Sequence, residues 1–479
     1  MRDIGVEVMT SMNLVAYSMK TKGGAAFGRR LWTVFTRFGL TEGRTRRSFQ
    51  EIIEALRPYG SAPTFFVPAA VLERSPSLIR RAQRMGVEIG VHGYVHNDYR
   101  ALPKREQVAQ ISEAAALFRR QQVSFEGFRN PYLGWNEDSL AAFRELGFVY
   151  DSNEAVIHDV IDPATLPPAL ADSLRRSLDL FQAIPYTEYN LRPHTEDGLL
   201  RIPTSIPDDE MLFDRLRLPT GQVGEIWSEI MRRVYAAGGV YVLNLHPERG
   251  ALAREALDRL LATASGQSLP VWMARLGDIA VWWRERAATT IEVAPVDTGR
   301  WKVTLTGSQR ASLIVRNGAV SGADMIGWPD GDQLAPGQRC EMNAAVFPGV
   351  AISPRTPASV EEILSEQGYP VVRAVAGEAA GYAVYVDRPE GLGRTRRERQ
   401  EAASALVHDI ERGAAPLARI SLWPDGKRAA LSITGDVDSV TIQDFFLRIL
   451  EVRRYTPARQ EQVAAQAGAA SRQGVSEAW

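Results

Sequence analysis

Over residues 46–285, short apolar runs alternate with segments of helical periodicity, and no other feature constrains the fold as strongly. Residues 48–56 place apolar side chains at helical spacing. Pro63-Thr-Phe-Phe-Val67 is a short apolar run bounded by prolines and reads as a buried strand. The pattern repeats with a helix over 76–85, a strand over 87–91, a helix over 105–121 and a strand over 124–128. A helix over 137–146, a strand over 148–150 and a strand over 239–245 continue it, and 276–286 is a helix with adjacent tryptophans, Trp282 and Trp283. Strands alternating with helices predict a parallel sheet with crossover helices, closed as an α/β barrel. These strands end at His92, Arg129, Asp151 and His246, the position at which such barrels build their active sites.

The character of the chain changes after residue 286. Residues 289–350 hold short strands, at 291–293, 302–306 and 311–315, punctuated by glycine and proline, which predicts a small antiparallel β domain. A short helix is expected over 360–367, a strand over 382–385 and a helix over 394–412. Residues 429–434 are again a buried-strand pattern, ending at Gly435-Asp436, and 441–452 follow as a helix. The tail after Arg459, rich in alanine and glutamine, is expected to fray. The chain therefore divides into 1–285 (the main part of the barrel), 286–416 (a β-rich insertion with a connecting segment) and 417–479 (a return to the barrel).

Composition limits the function classes. With 479 residues the chain can hold two or three domains and a sizeable core. Its 56 basic and 57 acidic residues leave a net charge of -1, which gives no global drive toward nucleic acid or an anionic membrane. The arginines at 394, 396, 397 and 399 read as a solvated helix face. One cysteine, Cys340, excludes an intrachain disulfide. The start, Met1-Arg-Asp-Ile-Gly-Val-Glu, does not read as a signal peptide, and no stretch approaches the length of a membrane span. The expectation is a cytoplasmic protein with no membrane span and no nucleic-acid partner; the oligomeric state is not legible.

Several residues carry possible chemistry. In His92-Gly-Tyr-Val-His96 two histidines four apart, just after a strand, can face one metal ion, or can be surface or packing residues. His246 follows an apolar strand and precedes Pro247; it is either a satisfied structural residue or a protonated imidazole able to donate to a leaving amine. Arg129 can hold a carboxylate by a bidentate contact or make an ordinary salt bridge. The backbone N–H of Tyr132, after Pro131, can help to stabilise an oxyanion. Asp151 can orient a catalytic histidine or cap a helix. Asp436 and Asp438 flank one residue, so on an extended segment they share a face. One can ligate metal while the other takes a proton from bound water, or the pair can belong to an acidic turn.

Taken together, these motifs resemble the polysaccharide deacetylase (NodB-homology) family of carbohydrate de-N-acetylases. Thr64-Phe-Phe-Val67 resembles the family's second strand, His92-Gly-Tyr-Val-His96 its paired metal histidines, and Arg129-Asn-Pro-Tyr132 its arginine–proline–aromatic motif. Gly147-Phe-Val-Tyr-Asp-Ser152 resembles the strand that follows, Leu243-Asn-Leu-His246 the final histidine motif, and Thr434-Gly-Asp-Val-Asp438 the first motif. The resemblance covers 46–285 and 417–455. It implies a (β/α) barrel of about seven or eight strands with His92, His96 and Asp438 holding a divalent ion, most simply Zn2+. It further implies Asp436 as general base oriented by Arg129, His246 as general acid, and the Tyr132 backbone at the oxyanion. The reaction implied is hydrolysis of an N-acetyl group from an amino sugar, in a glycan, a glycolipid or an activated precursor.

The order of motifs departs from the family. Its aspartates stand on the first strand, before the Thr-Phe-Phe segment, yet residues 1–45 contain one aspartate, Asp3, and no such pair. A circular permutation, with the C-terminal strand filling the first-strand position, accounts for this most simply, because first and last strands of a barrel are neighbours. The other accounts are a truncated second copy of the domain and a barrel that has lost its base. The competing functions are a catalytically inactive carbohydrate-binding protein and an amidohydrolase for non-sugar C–N bonds. The loop Ile202-Pro-Thr-Ser-Ile-Pro-Asp-Asp209 is expected near the cleft.

Overall fold

The computed structural model describes residues 37–455 apart from 322–323 and 336. The N-terminal heptapeptide and the tail after Arg459 lie outside the described residues. Thr64–Val67 is buried along its whole length, because helices cover one face of the sheet and the interior side chains the other. It pairs in parallel with Glu88–Val91, which leads through Gly127–Phe128 and Tyr150–Asp151 to Leu199–Arg201, all parallel. On its other side lies Ala429–Asp436, also parallel.

That C-terminal strand is the centre of the sheet. One edge pairs with Val240–Leu245 over its full length. The opposite edge is shared: Ala429 to Leu431 pair with Val271–Met273, and Thr434 to Asp436 pair with Thr64 to Phe66. Beyond Val240–Leu245 the sheet continues through Thr204–Ile206 and Ala155–Ile157 to Ile184–Pro185. The α/β class follows the expectation, but among the described residues the sheet holds twelve strands and not seven or eight. Among the described residues its path does not close, since it runs from Ile184–Pro185 at one edge to His194–Glu196 at the other. Five of these strands, each two or three residues long, come from 155–206, where the chain makes short excursions around the helix Pro168–Phe181.

Helices cover the outside. Gly43–Leu56 buries Phe49, Ile52, Ile53 and Leu56, a spacing that forms one apolar stripe. Gly250–Ser265 packs between this helix and Thr220–Ala237. No helix among the described residues is long and apolar enough to cross a membrane.

The insertion begins with two four-stranded antiparallel sheets, one made of Thr290–Asp297, Arg300–Thr306, Arg339–Asn343 and Ala319–Ser321. The other includes Leu313–Arg316 paired with Leu417–Ile420, so β pairing in this region runs past residue 416. Phe347–Ile352, Val371–Arg373 and Tyr382–Val386 form a parallel sheet covered by Ala358–Glu366 and Arg396–Arg412. Trp282, Trp283 and Trp423 lie in one apolar cluster with residues of both the insertion and the large sheet.

Candidate active site

The parallel register sets the site. Val67 lies opposite Val91, Val91 opposite Phe128, Phe66 opposite Asp436, and Leu245 opposite Gly435. The residues next in sequence therefore emerge at one edge of the sheet: His92, Arg129, the 436–438 segment and His246. Gly435 makes the last of these contacts possible, because a Cβ there would stand 2.5 Å from Pro247 Cγ and 3.1 Å from the Leu245 carbonyl. Between the paired histidines Gly93 adopts φ +79°, and a Cβ there would meet the Tyr99 ring.

His92, His96 and Asp438 converge and are all buried. Asp438 Oδ1 lies 3.6 Å from His92 Nε2 and 3.3 Å from His96 Nε2. His92 Nδ1 donates to the Arg129 carbonyl oxygen at 2.8 Å, which leaves Nε2 with its lone pair toward Asp438. His92 Nε2 and Asp438 Oδ1 are buried with no hydrogen-bond partner. Two acceptors facing one another without a proton donor fit a cation between them. Burial pushes the His96 imidazole down to about 3, so it is neutral and fit to ligate. Burial works to raise Asp438, but the charged Arg448 guanidinium on Oδ2 outweighs it and holds the carboxylate far below the usual range.

Asp436 is held at both oxygens. Arg129 Nη1 donates to Oδ1 at 3.2 Å and Asn244 Nδ2 to Oδ2 at 2.9 Å. The expected bidentate grip of Arg129 is thus a single contact, because the rest of its guanidinium is engaged elsewhere. Nη1 also donates to Asn244 Oδ1 and Thr434 Oγ1, Nη2 to Ser152 Oγ and Thr204 Oγ1, and Nε to the Ser152 carbonyl. Its carbon also sits 4.3 Å from the centre of the Phe66 ring.

His246 stands across the site, its Nε2 4.0 Å from Asp438 Oδ2. Asp209 accepts from His246 Nδ1 at 2.7 Å and from the His246 backbone N–H at 2.9 Å. Burial disfavours the charged imidazole, yet the Asp209 carboxylate outweighs it and raises His246 to about 10. The neighbouring Asp208, buried and beside the charged Asp209, is pushed up to about 7. Tyr132 has a left-handed backbone (φ 60°) and sets its ring edge-on to His96 at 4.6 Å between centroids.

Seven of the eight residues singled out in the sequence meet at this edge. Asp151 does not orient a histidine: its carboxylate accepts from Arg201 Nε at 2.5 Å and from Asn153 Nδ2 at 2.8 Å. Fully buried Arg201 draws it into a separate network with Glu154 and Glu196. The carboxylate on His246 is Asp209, from the 202–209 loop. Asn244 and Arg448 also lay outside the expectation. Asn244 has a readable signal, since residues two apart on a strand share a face and Asn244 precedes His246 by two.

Residues 42–150 match the family model for polysaccharide deacetylase. By this match, residues 42–150 belong to a polysaccharide deacetylase domain. Over 94 residues the chain is 29% identical to the peptidoglycan deacetylase-like protein FGM2 of Gibberella zeae, a match covering 19% of this chain and 27% of that relative. The chain thus spans about a quarter of the length of the curated relative it matches. Among solved structures, a probable polysaccharide deacetylase from Pseudomonas aeruginosa PAO1 is similar at 19% identity and a TM-score of 0.38, covering 50% of this chain and 72% of that one. A CE4 family pseudoenzyme from Bacillus anthracis is similar at 14% identity and a TM-score of 0.30, covering 49% of this chain and 61% of that one. The matched segment ends at residue 150, so the deacetylase domain's histidine pair lies inside it and Asp436, Asp438 and His246 lie outside.

Proposed function

We propose that this protein is a metal-dependent hydrolase that removes an N-acetyl group from an amino sugar of a glycan, glycolipid or activated sugar precursor. The observation that carries this reading is the convergence of His92 Nε2, His96 Nε2 and Asp438 Oδ1 beside a doubly anchored Asp436. Two imidazoles and one carboxylate are the donor set of a catalytic zinc site with open positions. A bound Zn2+ would polarise the acetyl carbonyl and the attacking water.

The protein groups supply the rest. Asp436, with Oδ1 on Arg129 and Oδ2 on Asn244, takes a proton from the water as its oxygen bonds to the acetyl carbon. The peptide N–H of Tyr132 would donate to the oxygen on which charge develops. His246, protonated because Asp209 holds Nδ1, gives its Nε2 proton to the amine nitrogen as the C–N bond breaks. Acetate and the free amino sugar leave.

The same reading makes the chain a circular permutation of the family. Its support is the central strand: Ala429–Asp436 lies between Val240–Leu245 and Thr64–Val67, in the slot where the family's first strand would stand.

The test is acetate release from N-acetylglucosamine oligomers together with the metal content of the protein. Asp436→Asn is expected to lower kcat by a factor of about 100 to 10,000, the usual worth of a positioned general base, while zinc stays bound. Asp438→Ala is expected to lose the zinc. Oligomers that bind without zinc and without turnover would make the protein a carbohydrate binder and overturn the proposal.

A further inference from the structure

Arg448 lies on the helix Ile442–Tyr455, and its Nη1 donates to Asp438 Oδ2. An arginine in the middle of a helix normally finds acids three or four residues away. Here those acids are Asp444 and Glu451, and Arg74 at the end of Ala69–Arg74 takes both. Asp444 is further occupied by the Val440 backbone N–H, which donates to its Oδ2 at 2.7 Å. Arg448 instead lies over the Phe445 ring and reaches back ten residues to Asp438.

This leaves the two oxygens of Asp438 in different environments. Oδ2 carries a guanidinium; Oδ1 faces both imidazoles and is buried without a partner. We infer that Arg448 is a positioning residue that restricts Asp438 to ligation through one oxygen and aims that oxygen at His92 and His96. The inference rests on the metal site proposed above. With Oδ2 withheld, the carboxylate occupies one coordination position and more of the shell stays open to water and substrate. Without Arg448 the carboxylate is free to rotate or to bind through both oxygens.

The experiment is calorimetric titration of chelator-treated full chain with Zn2+, for wild type, R448A, R448K and D438A. R448A is expected to weaken zinc binding by about tenfold or more, the usual cost of losing a group that orients a ligand. R448K, which keeps a cation on a shorter reach, is expected to recover part of that loss. Zinc X-ray absorption should show one Asp438 oxygen in the wild type and a second one close to the metal in R448A. If D438A loses zinc while R448A and R448K both bind within about twofold of wild type, this inference falls and the metal site stands. A wild type that takes up no zinc overturns both. R448K carries the test if R448A does not fold.

Discussion

Asp209 sets the charge on His246. Burial alone favours the neutral imidazole, and the carboxylate on Nδ1 reverses that preference. In the proposed mechanism His246 is the general acid and must hold its proton at working pH, so Asp209→Asn should slow acetate release by about 10- to 100-fold at pH 8. It should also move the alkaline limb of kcat/KM to lower pH, because the raised value of about 10 is lost with the carboxylate. A pH–rate profile of the variant checks this; an unmoved alkaline limb would show that Asp209 does not set the charge. The same pair bears on stability: His246 is raised in the folded state, so its contribution is full below about 6.5 and fades as pH rises through 10. Residue types and strand ends made His92, His96, Arg129 and His246 legible, because chemistry follows the last residue of each parallel strand. Asp209 was visible only as part of a proline-fixed loop. It lies 37 positions before its partner, and apolar periodicity does not say which strands will be neighbours.

At the scale of elements, the strand Ala429–Asp436 carries the most. It is buried along its length and bonded on both edges, so small changes in its backbone reach three neighbours. Gly435→Ala would push a methyl group into Pro247 and the Leu245 carbonyl. The expected loss is about 1–3 kcal/mol, as for other overpacked positions, read as a lower midpoint in urea with an unchanged slope. The buried-strand pattern at 429–434 and the helix after it were legible from composition. The short helix Ala69–Arg74 and three longer ones, Pro168–Phe181, Thr220–Ala237 and Gly250–Ser265, fall outside the elements expected from the sequence, although each of the longer ones buries one apolar stripe. The short strands of 155–206 carry too few residues for period-two alternation to stand out, so the sheet grew beyond the expected strand number.

For the whole molecule, the insertion and the large sheet share a core, since Val303, Leu305 and Leu313 lie in one buried cluster with Phe66, Val240 and Trp423. Trp423 Nε1 donates to the Gly238 carbonyl and Trp282 Nε1 to the Leu422 carbonyl, both at 2.8 Å, and Trp423 packs near Trp272 and Trp283. Unfolding followed by tryptophan fluorescence and by far-ultraviolet circular dichroism should therefore give coincident transitions. Trp423→Ala should lower both by about 3–5 kcal/mol, the usual cost of emptying a large buried site. Two separated transitions would mean that the parts unfold independently. The central strand also has a consequence in time. Residues 429–438 leave the ribosome after every strand they pair with, so the growing chain carries an open slot bounded by the bare edge of Val240–Leu245 on one side and those of Thr64–Val67 and Val271–Met273 on the other. Such edges invite pairing between chains. Synthesis that stalls after residue 420 would release a species without its central strand, unable to assemble the three-residue donor set and exposed to aggregation. Filling that slot and completing the donor set are thus one late event, and a nascent chain is tested for completeness by its own architecture.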